Sequence, residues 1–514
     1  MGHTLTRLSL VALVALSAFA WAVAHPGGSA HACGAAGPFD FDTFEAEDYA
    51  TTYAKAIELA TAGKAITFSY KLAGTNELVD VRYLGLLKGP RGARSTTPDT
   101  SLAIPPTIYK SIAWIEANWN NGAGTVPYGG VGPVLRSADC GYGIGQVTTG
   151  MSNATGVASA RQAVIGTHFL FNIAEGVRIL ADKWNSAPKY RPVAGNGDPA
   201  AIEDWYFAIW SYNGFAFSNH PLNPNLDPLR GGGTSPIYHC YDPSAPSYQD
   251  SGDGPKFGYG DYTYQERVYG CMRYPPKKTP IGAPAGTPGV ALWKPQTFFM
   301  PDFTNPAIAG AFDIEAFTAC EDAGFSGGCP SMDFPTTIPP GVIPHADTTP
   351  APDPAFATKL LGDPRLTFNG PHVMALTAYP DGTATSGSFV LENAGKWIGP
   401  YRIRVSAPWI VVRHADDPAG RSLDGGVVIG KDTDVVIQQA SAGPPARPRI
   451  AVKGYKSTLI VSLAPDLMPD GGQTGKVWIE PLLGGGVFSI DITATKGSNP
   501  LPFRAVLPSV SVTD

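Results

Sequence analysis

Residues 141–151 read "GYGIGQVTTGM". Three glycines alternate with a tyrosine and an isoleucine before a single glutamine, Gln146. Glycine weakens helices and strands alike, because it gives up the most backbone freedom on folding. The stretch therefore reads as a loop. Two uses are open for so much bare backbone: a wall against which a long ligand lies closely, or a flexible surface turn.

The sequence on either side is helical. Residues 104–121, "IPPTIYKSIAWIEANWNN", place Pro105 and Pro106 where a first helical turn tolerates them. Ile108, Ile112, Ile115 and Trp119 then form an apolar stripe. Glu116 sits beside that stripe, at a solvent border or on a cleft floor. Semi-buried, such a carboxyl holds its proton near neutral pH, as a general acid must. Residues 168–184, "HFLFNIAEGVRILADKW", predict a helix with Phe169, Ile173, Leu180 and Trp184 on one face. In residues 198–215, "DPAAIEDWYFAIWSYNGF", Asp198 is placed to cap a helix and Pro199 to start it. Residues 262–276, "YTYQERVYGCMRYPP", predict one more helix, ended by Pro275 and Pro276. Toward the N-terminus, Asp42 and Glu45 make a capping-box pattern ahead of Tyr49, Tyr53 and Ile57 at helical spacing.

Beyond residue 364 the period changes from helical to alternating. "YRIRVSAPWIVV" (401–412) sets Tyr401, Ile403 and Val405 against Arg402 and Arg404; "STLIVSL", "KVWIE" and "FSIDITA" alternate likewise, with "PDG" and "PDGG" turns between runs. That is the pattern of an antiparallel β-sandwich. Prolines recur between residues 276 and 364, which is linker composition.

The chain has 514 residues, more than one hydrophobic core usually serves. Gly 60 and Pro 49 are high counts, and charged residues make up only 16%, against about a quarter in typical proteins. The net charge is −6 and no basic stripe is present, which argues against a nucleic-acid partner. Arg7, the apolar run 8–24 and "AVA" ending at Ala24 fit a signal peptide, so a secreted, extracellular or cell-envelope location is expected, with no stable membrane span in the mature protein. Six cysteines in an exported chain favour disulfides. Cys320–Cys329 is the natural short pair and Cys240–Cys271 the next; spacing does not fix the connectivity. Residues 215–262 are rich in Asn, Pro, Gly, Asp and Ser, without calcium-loop spacing. No metal or cofactor is expected.

The order of Glu116, Gly143-Ile144-Gly145-Gln146, Asn172-Ile173 with Gly176, and Tyr212-Asn213 resembles the lytic transglycosylase family of the goose-type lysozyme fold. "YQERV" (264–268) is similar to that family's closing helix. The resemblance covers residues 104–274, and it departs from the family at Ala117, where serine is usual. It implies a mainly α-helical lysozyme-like catalytic domain that cleaves peptidoglycan. Glu116 would protonate the oxygen between N-acetylmuramic acid and N-acetylglucosamine, then take the proton of the sugar's 6-hydroxyl, leaving 1,6-anhydro ends. Gly143 and Gln146 would line the glycan groove, Tyr212 would orient Glu116, and Asn213 and Ser137 would border the substrate. If Asp139 serves as a second carboxylate, the enzyme is a hydrolytic lysozyme. A non-catalytic wall-binding or adhesion protein is the competing reading. "SFVLENAG" and "VSAPWIVV" resemble bacterial immunoglobulin-like modules of the BACON type, with Trp409 in the core. The expected organisation is signal peptide 1–24, N-terminal extension 25–100, catalytic domain 101–276, Pro-rich linker with a small Cys loop 277–364, sandwich 365–497 and tail 498–514.

Overall fold

The computed structural model describes residues 39, 41–46, 48–63, 69–71, 78–90, 93–153, 158–190, 194–224, 226, 238, 240, 262–280, 282–300, 345–353, 366–394, 401–415, 455–481 and 486–498. The signal peptide and the Cys320–Cys329 pairing lie outside them. Both helices and sheets are present, around two separate hydrophobic cores, one drawn from residues 39–298 and one from 374–494.

The first core is built mainly by helices. Strand β1 (Asp42–Phe44) precedes helix α1 (Tyr49–Ala62). The ladder β2 (Ser69–Lys71) with β3 (Leu78–Asp80) leads to helix α2 (Pro106–Ala117). Strand β4 (Val131–Pro133) returns to pair antiparallel with β1, Phe44 facing Val131. Helices α3 (Ala160–Thr167) and α4 (Phe169–Tyr190) follow, then a 3-10 turn (Ile202–Trp205) running into α5 (Tyr206–Tyr212), and finally α6 (Tyr264–Arg273). The expected faces are largely inside: Ile108 and Ile112 of α2 and Phe169, Ile173, Leu180 and Trp184 of α4 are buried, whereas Ile115 is half-buried and the buried Trp119 lies beyond the end of α2.

Two expected helix starts fall elsewhere. Asp42 and Glu45 do not form a capping box, because Phe41 and Phe44 bury into the core and draw this stretch into a strand. Asp48 caps α1 instead, accepting the Thr51 amide at 3.4 Å. Asp198 accepts the Ala200 amide at 3.0 Å in a preceding turn, and helical geometry begins only at Ile202. Helix α6 does carry a complete capping box, Thr263 with Glu266.

The stretch read as linker is docked on this core where it is described. Strands β5 (Lys277–Lys278) and β6 (Val290–Ala291) pair, and Trp293 and Phe298 are buried with the helices. Cys240 and Cys271 form a disulfide, which ties the 215–262 insertion to α6, and Cys140 is also disulfide-bonded.

The second core lies between two four-stranded sheets. Strands β7 (Leu366–Asn369), β8 (Val373–Ala378), β9 (Gly387–Asn393), β10 (Tyr401–Val405), β11 (Ile410–His414), β12 (Tyr455–Leu463), β13 (Gln473–Pro481) and β14 (Phe488–Lys496) arrange as β10-β13-β14-β8 and β11-β12-β9-β7. Alternate residues point inward, as with Leu459, Val461 and Leu463, or Ile490, Ile492 and Ala494. Trp409 is buried among them. The sandwich is not wholly antiparallel: β8 runs parallel to β14, which its distant place in the chain permits.

Among the described residues no single helix is long and apolar enough to cross a membrane, although the bent pair Arg161–Thr167 and Phe169–Ser186 meets the length and composition together.

Candidate functional site

Glu116 lies in the last turn of α2, which ends abruptly. Asn118 and Trp119 both adopt left-handed backbone, with φ of 49° and 56°. Asn118 donates its amide to Trp114 at 2.7 Å, and the Trp119 indole donates to the Lys110 carbonyl at 2.9 Å. The chain after the helix is held by Glu45, whose buried carboxylate accepts the amides of Asn121 (2.8 Å) and Gly122 (2.7 Å) and the Tyr53 hydroxyl (2.6 Å). The residue expected to start a helix therefore braces the end of the one that bears Glu116.

The Glu116 side chain keeps partial access to the surface but is surrounded by protein. That desolvation pushes its pKa from 4.5 up to about 7. The Tyr264 hydroxyl donates to Glu116 Oε1 at 2.6 Å and, with the Arg267 charge, pulls the other way; the Asp139 charge adds to the rise. Tyr264 stands at the first position of α6, and its backbone amide donates to Asn219 Oδ1 at 2.8 Å. Asn219 in turn donates from Nδ2 to Asn213 Oδ1 at 2.9 Å. Asn213 thus reaches Glu116 through Asn219 and Tyr264.

The glycine loop has an internal explanation. Gly143 has φ of +66°, and a Cβ there would lie 2.6 Å from Asn121 Oδ1 and 2.7 Å from Asn172 Nδ2. A Cβ on Gly145 would lie 2.4 Å from the Tyr109 hydroxyl. The closely approaching groups are the protein's own side chains. Asn172 Oδ1 accepts the Gly145 amide (2.8 Å) while its Nδ2 donates to the Tyr142 carbonyl (2.7 Å), and Asn121 Oδ1 accepts the Ile144 amide (3.1 Å). Gly143 is buried, so the loop's bare backbone serves packing there. Gln146, half-buried at φ 45°, donates from Nε2 to the Gly143 carbonyl at 2.7 Å.

The remaining site residues divide. The Tyr212 hydroxyl donates to the Gly145 carbonyl at 2.8 Å and lies 3.4 Å from the Tyr109 hydroxyl. It braces the loop, and the tyrosine bonded to Glu116 is Tyr264. Ser137 donates its hydroxyl to Asp139 and accepts the Gly141 amide at 2.8 Å. Asp139 is exposed, with its charge felt at Glu116. Asn213 is exposed beyond the end of α5. Tyr264, Asn219 and Asn172 carry much of the geometry without having been assigned roles from the sequence. Among the described residues no group of three or more His, Cys, Asp or Glu is placed to hold a metal ion.

No family model matches this chain, and no curated protein matches it. Solved structures do match, three of them over about a quarter of the chain. The PapD-like domain 7 of human CEP192 is 15% identical, covering 26% of this chain and 87% of its own, at a TM-score of 0.16. The CooA pilin subunit from enterotoxigenic Escherichia coli is 16% identical, covering 27% and 100%, at 0.17. The periplasmic chaperone SfaE is 14% identical, covering 27% and 60%, at 0.14. Likenesses this weak carry no functional inference. They nevertheless correct the resemblances read from sequence: these neighbours are PapD-like domains, periplasmic chaperones and pilus subunits, beside a family 123 glycoside hydrolase from Clostridium perfringens, and none of these is a lytic transglycosylase or lysozyme-like. The four short motifs do not establish that family, nor do two stretches establish a BACON-type module. Short glycine and asparagine motifs also arise wherever a buried loop must be pinned to a helix, as Asn121 and Asn172 pin this one.

Proposed function

We propose that the helical region cleaves glycosidic bonds in peptidoglycan, at the β-1,4 link between N-acetylmuramic acid and N-acetylglucosamine, with Glu116 as the single acid and base. The observation that carries this reading is a carboxyl pushed up to about 7 and bonded at 2.6 Å to a tyrosine hydroxyl. Near neutral pH such a group is comparably populated as acid and as base. Protonated, it gives its proton to the glycosidic oxygen as that bond breaks. Ionised, it takes the proton of the 6-hydroxyl as the oxygen closes on the anomeric carbon, leaving a 1,6-anhydro end and releasing no water-derived product.

Backbone geometry supports a functional role here. The non-glycine residues with positive φ among those described are Asn118, Trp119, Cys140, Gln146 and Phe215. All five follow or flank Glu116, the glycine loop, or Tyr212 and Asn213. Such conformations cost on the order of 1–3 kcal/mol each and gather at functional sites. The second reading, hydrolysis by a muramidase with Asp139 as partner carboxylate, draws on the Asp139 charge that reaches Glu116. In either reading the protein acts on the cell envelope from outside the cytoplasm, as the leader-like N-terminus suggests.

Mass spectrometry of purified cell walls digested with the full-length protein tests the proposal. Anhydro-ended fragments support the single-carboxylate route, and reducing ends that vanish in Asp139→Asn support hydrolysis. No soluble fragments from folded protein would favour a non-catalytic wall-binding role.

A further inference from the structure

Helix α2 begins without a cap of its own. Pro105 holds the N-cap position and has no side-chain acceptor, yet the first-turn amides of a helix need partners. One comes from 240 residues further along, where Asp347 Oδ2 accepts the Thr107 amide at 2.8 Å and the Thr107 hydroxyl as well. The residues beside Asp347 are fixed too. Ala346 bridges to Ala201, and the Ile202 amide donates to the His345 carbonyl at 3.0 Å. Thr348 donates its amide to Gln296 Oε1 at 3.0 Å, and the Gln296 amide is held by the Met272 carbonyl at 2.9 Å.

Glu203 explains why this attachment matters. Glu203 is 1% exposed. His345 Nδ1 lies 2.7 Å from Oε1, the Phe299 amide donates to Oε1 at 3.2 Å, and the His345 amide donates to Oε2 at 3.3 Å. These partners all come from chain beyond α6. With them removed, a carboxylate inside the core would lose its compensation, which is strongly unfavourable.

We propose that residues 345–349 form a clasp. The chain leaving the helical region locks the start of the Glu116 helix to the turn before α5, and order at the start of α2 depends on the clasp being seated. The clasp stands whether or not Glu116 cleaves glycans. Hydrogen exchange of the Thr107 amide in full-length protein tests it. Asp347→Ala removes the acceptor and is expected to raise exchange at Thr107 tenfold or more, with α4 amides unchanged. Asp347→Asn keeps an acceptor suited to a helix start and is expected to restore most of the protection. If Asp347→Ala does not fold, Thr107→Val, which removes only the hydroxyl contact, reads the same junction and is expected to raise exchange at residue 107 by a smaller factor. Unchanged exchange at Thr107 in folded Asp347→Ala, or an equal rise across α2 and α4, overturns the clasp.

Discussion

In the helical region Glu45, Glu58, Glu175, Glu203 and Asp204 are each at most 6% exposed, whereas Glu480 is the comparable buried carboxylate among the described residues of the sandwich. The helical region meets most of these burials with designated donors, although Asp204 accepts the Asp198 amide at Oδ2 (2.8 Å) and leaves Oδ1 without a partner among the described residues. Glu58 takes Lys110 at 2.8 Å, Glu175 takes Arg161 at 2.5 Å and Arg178 at 2.7 Å, and Glu203 takes the clasp. The sandwich buries alternating aliphatic residues and pairs Glu480 with Arg404 at 2.6 Å. Buried charge is a poor route to stability when apolar packing is available. The sandwich is therefore built as a scaffold would be, while the helical region maintains a polar constellation at a standing energetic cost. Glu116, its raised pKa and the strained backbone belong to that second kind of construction.

Glu116→Gln should break the comparison most sharply. Under the proposed function its cleavage of purified peptidoglycan falls by on the order of 10² or more. The sandwich variant Trp409→Ala, scored in the same assay, should retain wild-type activity. The Gln variant should also be more stable at alkaline pH. The folded pKa of Glu116 lies above its ordinary 4.5, so folding favours the protonated form. That contribution is fully present below pH 4.5 and is lost as pH rises to about 7. Above it the wild type should be less stable than Glu116→Gln by about 3 kcal/mol, from about 1.4 kcal/mol per pKa unit. Urea melts at the two pH extremes read this difference, and equal stability at both would remove the desolvated carboxyl.

Ending the chain at Pro276 tests whether the helical region is complete where its last helix stops. The fragment loses the buried Trp293 and Phe298, the Phe299 amide bond to Glu203 and both clasp contacts of His345 to Glu203. It should lack a cooperative thermal transition, whereas a fragment ending at Pro352 should keep one. Trp409→Ala should lower the stability of the sandwich by about 3–5 kcal/mol, the usual range for emptying a core aromatic site. A calorimetric transition from the helical region should stay in place.

Much of this architecture was legible from periodicity. The stripe of Ile108 and Ile112, the face of Phe169, Ile173, Leu180 and Trp184, and the alternation of Ile490, Ile492 and Ala494 are local signals, and local physics sets them. What was illegible is non-local. Tyr264 meets Glu116 across 148 residues. The capping box of Thr263 and Glu266 fixes where α6 starts, but nothing in it says what the first residue faces. Asp347 and His345 sit in Pro-rich sequence whose composition says only linker. The glycines of residues 141–145 were legible as a request for close approach, but the partners proved to be Asn121, Asn172 and Tyr109 of the same chain. Strand β1 was hidden because Asp42 and Glu45 imitate a helix start, while the core wanted Phe41 and Phe44.

The smallest expected effect is Tyr264→Phe. The Tyr264 hydroxyl stabilises the ionised carboxylate, so its loss should move the Glu116 midpoint upward and carry the alkaline limb of any activity with it. A downward move would mean the hydroxyl does not donate to the charged form.

The most direct measurement is a carbon-detected NMR titration of the Glu116 side-chain carboxyl in the full-length protein. A midpoint near pH 7 is expected. A midpoint between about 4 and 5, the range of an ordinary solvated glutamate, would contradict it and leave Glu116 a boundary residue with no acid to give at neutral pH.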